Sequence, residues 1–177
     1  MQTNRRTGRA PDPRRQLQGK INRAEGKEFE KRIQDAFDYV NARGAAVINK
    51  VPEPVKIIKR LEAGQFIAVF EKKAQPDYEG TLKGGRSVLY EAKYTSGDKI
   101  GADRVTEAQA DYLTKKAAVG AFCYVLAGFP SGRVYKIPWE IWRDMKAYFG
   151  RKYIKETDPE LQQYIVKTAN FGILMII

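Results

Sequence analysis

No histidine occurs anywhere in the 177-residue chain. That single absence removes histidine-ligated metal centres, histidine general bases and Ser-His or Cys-His triads together. Any hydrolytic chemistry must therefore rest on carboxylates, lysine and metal. Cysteine occurs once, as Cys123, which excludes an intrachain disulfide and a thiolate zinc cluster. Its apolar setting, residues 121–127, reads as a core thiol rather than a nucleophile. No apolar run approaches the length of a membrane span, and the N-terminus is too charged for a secretory signal, so a cytoplasmic protein is expected. Internal repeats are absent, and the length suits one domain with appendages. Acid is also scarce: 32 Lys and Arg face 21 Asp and Glu, a formal net charge of +11. Such a surplus points to a polyanionic partner. Nucleic acid is favoured over a membrane surface, because no basic amphipathic anchor or lipidation motif is present.

What is present centres on Pro76-Asp77-Tyr78-Glu79-Gly80, followed by Glu91-Ala92-Lys93. If residues 86–93 form a strand, two-residue alternation sends Val88, Tyr90 and Ala92 to one face and Leu89, Glu91 and Lys93 to the other. A turn at Lys83-Gly84-Gly85 would fold the two segments into a hairpin and return Asp77 to the neighbourhood of Glu91. Two carboxylates held together repel unless a proton or cation lies between them, and a hard, oxygen-lined site suits magnesium. As a plain structural pair, Glu91 and Lys93 would instead form a surface ion pair of little energetic weight.

Around this stretch the pattern predicts further elements. Residues 1–24 carry Arg5, Arg6, Arg9, Arg14, Arg15, Lys20 and Arg23 against one acid, Asp12, and read as a flexible basic arm ahead of a domain over 25–177. From Ala24 to Arg43, helical spacing of Phe29, Ile33, Ala36, Phe37 and Val40 predicts a helix ended by Gly44, with Glu30 at the margin of its apolar stripe. Residues 45–49 read as a strand, and Val51-Pro52-Glu53-Pro54 as an extended connection. The excursion over 53–75 carries Lys56, Lys59, Arg60, Lys72 and Lys73 around the strand-like Phe66–Phe70. Residues 94–102 read as a mobile loop, and a helix is expected from about 103–106 to 117, with Val105, Ala108, Tyr112 and Leu113 inward. Gln109 falls within that stripe and needs hydrogen-bond partners, either in a site or as a satisfied structural amide. Strands are expected at 120–127 and 133–137, then a helix from Pro138 to about Tyr148. The apolar end, 171–177, should be buried in the core or against a second subunit.

An Asp at a strand start followed by Glu-x-Lys on the next resembles the PD-(D/E)XK nuclease signature. The series Asn22 to Glu30, Asn49 to Pro54, Asp77 to Gly80, Tyr90 to Lys93 and Gln109 to Leu113 resembles the RecU family of Holliday junction resolvases, from Gram-positive bacteria and some of their phages. The resemblance runs from about Asn22 to Val166. It implies an α/β fold with a restriction-endonuclease-like core, a mixed central sheet flanked by helices, and the 53–75 excursion as a protruding stalk. It further implies a homodimeric, magnesium-dependent endonuclease, with manganese as a substitute, that nicks four-way DNA junctions symmetrically in a bacterial cytoplasm, host- or phage-encoded. Carried over by position, Asp77 and Glu91 would bind metal with the Ala92 carbonyl, Glu30 would be a helix-borne acid completing the shell, and Lys93 and Gln109 would complete the catalytic set. Arg14, Arg15, Arg23, Lys56, Lys59, Arg60, Lys72 and Lys73 would contact DNA. Pro76 and Glu79 depart from the family pattern and loosen the inference about substrate. A nuclease of the same fold acting on flaps or duplex, or a binding module without catalysis, are the competing readings.

Overall fold

A computed structural model describes residues 12–70, 74–169 and 172–177. Asp12 and Pro13 start the first helix, α1 (Pro13–Ala42). The Asp12 carboxylate accepts from the Arg14 N–H at 3.0 Å, and Pro13 occupies the first turn, where a missing N–H removes no helical hydrogen bond. Phe29, Ile33, Ala36, Phe37 and Val40 are buried, as their spacing predicted. The start differs: the basic arm expected over 1–24 is helical from Pro13 onward. Leu17 and Ile21 remain exposed there, so capping and good helix formers, not burial, carry these turns. Arg5, Arg6 and Arg9 lie outside the described residues, as do Lys72 and Lys73; of Arg15 only the backbone is described.

Strands β1 (Ala46–Lys50), β2 (Val55–Arg60), β3 (Phe66–Phe70), β4 (Tyr78–Leu82) and β5 (Ser87–Tyr94) come next, then the short β6 (Lys99–Gly101) and helix α2 (Glu107–Ala118). After these come β7 (Phe122–Gly128), β8 (Val134–Pro138), the helices α3 (Trp139–Arg143) and α4 (Met145–Phe149), and β9 (Tyr153–Lys155). The central sheet runs β1-β4-β5-β7-β8. It is mixed, because α2 carries the chain over to make β5 and β7 parallel while the other pairs are antiparallel. The expected hairpin turn is present: Gly84 and Gly85 take φ of 99° and 91°, values that L side chains rarely adopt, and the Leu82 N–H bonds the Arg86 carbonyl at 2.8 Å.

One apolar layer lies between the sheet and α1, gathering Phe37, Ile48, Tyr78, Val88, Tyr90 and Leu126 with the α1 stripe. The other lies against α2, α3 and α4, with Leu89, Leu113, Val125, Ile137, Trp139 and Trp142. Of the apolar end, Leu174 and Ile176 join the α1 layer in this chain's own core, while Met175 and Ile177 are exposed and Phe171 lies outside the described residues. Cys123 is buried, and burial pushes its thiol up to about 11, which leaves it an inert core residue.

Two expectations are corrected. The stretch expected to be a mobile loop contains β6, which pairs with β9 through buried Ile100 and Ile154. The helix expected from Pro138 to Tyr148 is two short helices, α3 and α4, broken at Asp144, whose φ of −98° and ψ of 28° interrupt the helical run. The excursion is a two-stranded sheet of its own, β2 against β3, with a register irregularity between Ile57 and Lys59 and every β2 residue exposed.

Candidate active site

The β4–β5 ladder pairs Tyr78 with Tyr90 and ends there, which puts Asp77 and Glu91 at the open end of the two strands. Past the ladder, the Ala92 N–H has no strand partner on that side. The Asp77 carboxylate takes it instead, Oδ2 accepting at 3.0 Å. The alternation along β5 is as predicted: Val88, Tyr90 and Ala92 face α1, while Leu89 packs on the opposite side and Glu91 meets α2.

Glu91 is fully buried. Its Oε1 accepts from Lys93 Nζ at 2.5 Å and from Gln109 Nε2 at 2.9 Å. Its Oε2 is buried without a hydrogen-bond partner. Burial first, and the neighbouring Asp77 charge second, push the carboxyl up to about 7, while the Lys93 ammonium pulls the other way. A buried carboxylate with one unsatisfied oxygen beside a second carboxylate is a donor set that a hard divalent cation would satisfy. The Asp77 and Glu91 carboxylates therefore fit such an ion.

Gln109 resolves the two roles open to it by filling both. It is the third residue of α2 and closes a capping box with Thr106, its Oε1 accepting the Thr106 N–H at 3.1 Å. That bond fixes which way the amide faces, so Nε2 is directed at Glu91.

Glu30 stands apart from the pair. Its carboxylate accepts from Lys50 Nζ at 2.7 Å and is half-exposed, and among the described residues no three acidic, Cys or His side chains lie close enough to share one ion. It nevertheless lines the same cleft, a cavity of about 310 Å³ bounded also by Asn22, Ala92, Lys93, Ser96 and Arg104. Gly128 sets this geometry, since a Cβ there would run into the Phe29 ring; α1 thus lies flush on the end of β7 and carries Glu30 to the cleft. Lys50, Tyr94 and Arg104 were not singled out in the sequence. Lys50 was detectable as the outward end of the Ala46, Ile48, Lys50 face, and Tyr94 as the residue after Lys93, but nothing local marked Arg104. Glu79, one of the departures, ties β4 to α2 through Lys116 at 2.7 Å and the Tyr112 hydroxyl at 3.2 Å. Of the basic residues expected on DNA, Arg14, Arg23, Lys56, Lys59 and Arg60 are all exposed.

Fold and site together define a mixed-sheet α/β protein with two carboxylates and a lysine converging at the open end of paired strands. The chain belongs to the RecU family, described as Recombination protein U, which matches over residues 24–177. A Holliday junction resolvase RecU of Streptococcus gordonii is 35% identical over 112 residues, 60% of this chain and 56% of that protein. The protein of the same name from Streptococcus sanguinis is 33% identical over 132 residues, 70% of this chain and 66% of that one. The chain thus matches less than two thirds of these relatives' lengths. Among solved structures, Archaeoglobus fulgidus Hjc, a Holliday junction resolvase from an archaeal hyperthermophile, superposes with a TM-score of 0.47 at 13% identity, covering 77% of this chain and 92% of that one.

Proposed function

We propose that the protein is a divalent-metal-dependent endonuclease that resolves four-way DNA junctions by paired, symmetric nicks. The observation that carries this is the buried, half-satisfied Glu91 carboxylate beside Asp77, with Lys93 on the same strand face. Asp77, Glu91 and the Ala92 carbonyl would hold magnesium or manganese, and Glu30 would be the outer acid on the α1 wall. When bound, the ion would lower the pKa of the attacking water and stabilise negative charge on the phosphate. Lys93 adds a fixed positive charge where the pentavalent phosphate accumulates negative charge. The Ala92 N–H orients Asp77, and Gln109 holds Glu91 Oε1, so both carboxylates are set in place by the fold.

The substrate reading draws on family membership and on the relatives' names. The exposed β2–β3 hairpin with Lys56, Lys59 and Arg60, and the basic start of α1 with Arg14 and Arg23, would track the phosphate backbone of the junction arms. A nearly twofold substrate calls for a twofold enzyme, so the working unit is a homodimer. Among the described residues no helix is long and apolar enough to cross a membrane. The test is cleavage of an end-labelled four-way junction beside linear duplex and a flap, with magnesium. Preferential, paired cutting of the junction is expected. Equal cutting of all three would make it a general nuclease of this fold, and tight binding without any cutting would make it a binding module.

A further inference from the structure

The cleft reaches past the catalytic strand end. Beyond Lys93 its lining continues through Tyr94, Thr95 and Ser96 to Arg104, with Asn22 of α1 opposite. At about 310 Å³ it lies at the small end of ligand-site volumes, room for one sugar–phosphate unit beyond the reacting centre.

The polar groups at this outer end have donors to spare. Arg104 Nη2 donates to the Tyr94 carbonyl at 3.3 Å, which anchors the guanidinium to the residue directly after Lys93. Among the described residues Arg104 forms no ion pair with a carboxylate, whereas Lys93, the other cation of the lining, is taken by Glu91. Asn22 accepts from Gln18 through Oδ1 at 2.8 Å, so its amide nitrogen keeps both donors for a ligand. The acids nearby are already engaged: Glu30 by Lys50, and Glu25 by the Tyr94 hydroxyl at 3.3 Å.

A planar, permanently charged fork with unused N–H groups, held at a fixed offset from the catalytic lysine, matches a phosphodiester oxygen pair. We propose that Arg104, with Asn22 and Ser96, forms a binding subsite for the DNA backbone phosphate next to the scissile one. Resting on the nuclease reading, this subsite fixes the register of the cut strand: the strand must place one phosphate on Arg104 for its neighbour to reach Lys93.

The test compares wild type, Arg104→Ala and Arg104→Lys on a labelled four-way junction. Binding is followed by anisotropy across a salt series and cleavage by gel, with single neutral methylphosphonates placed in turn at each phosphate around the branch. Arg104→Ala is expected to weaken binding about tenfold and to lower the slope of log K against log salt by about 0.9, with melting temperature unchanged. Arg104→Lys restores the slope but not the full affinity. One methylphosphonate position should reproduce the alanine effect in wild type and add nothing to it in Arg104→Ala. An unchanged slope, or additivity at every position, overturns the subsite while leaving cleavage intact. A wild type that binds with the expected slope yet never cuts overturns the nuclease reading and with it the register role, while a lower slope in Arg104→Ala would still show that Arg104 holds a backbone phosphate.

Discussion

At the scale of single residues, Glu91 is the most consequential group in the molecule. Burial and Asp77 raise its folded-state pKa from 4.5 to about 7. The folded protein therefore holds a proton there that the unfolded chain has lost. That contribution to stability is complete below about pH 4.5, declines as pH rises toward 7, and is gone above it. In metal-free protein the decline should amount to about 3 kcal/mol, to order of magnitude. Denaturant melts across pH 4–8 should show it in wild type and not in Glu91→Gln; parallel profiles would mean that Glu91 is not the perturbed group. Asp77, Glu91 and Lys93 were legible in the sequence because strand alternation and a Gly-Gly turn suffice to bring them together. The separation of Glu30 from the pair was not legible, because it depends on Lys50, a residue from another strand whose ammonium reaches the carboxylate first. Gln109 was legible as an amide needing partners, but its link to Glu91 emerges only once the capping box has fixed the amide.

At the scale of elements, the seating of α1 on β7 is the contact that builds the cleft. Gly128→Ala should push the Phe29 ring away and cost about 1–3 kcal/mol, read as a fall in melting temperature. Phe29→Leu in the same chain should recover part of that loss; no recovery would place the strain elsewhere. The β2–β3 hairpin makes the opposite case. Its side chains are almost wholly exposed, so replacing residues 55–70 with a short Gly-Ser turn should change stability by only about 0.5 kcal/mol while junction affinity drops. A large loss of stability would show that the hairpin is part of the core. The early start of α1 was hidden from sequence reading because it has no apolar stripe; the Asp12-Pro13 start signal was present but outweighed by the basic, polar composition of the segment around it. The β6–β9 pair was hidden for another reason: its partners are distant in sequence, and three-residue strands leave no periodicity to detect.

At the scale of the whole molecule, a net charge of +11 should make junction binding fall steeply with salt. Sedimentation should give a dimer if two sites act on opposed strands. The positions of β1, β4, β5, β7 and β8 and both faces of β5 were readable in advance because hydrophobic alternation and turn glycines are local signals, whereas the mixed order of the sheet was expected only from the family resemblance. The cleft itself belongs to the assembled chain, since α1, β5 and the segment leading into α2 contribute its walls from separate parts of the sequence. The account as a whole depends on Asp77 and Glu91 sharing one cation. Anomalous diffraction from crystals grown with manganese tests this most directly. A single strong peak between the Asp77 and Glu91 carboxylates, lost in Asp77→Asn, is the predicted result; a peak elsewhere, or one that survives that substitution, would contradict it.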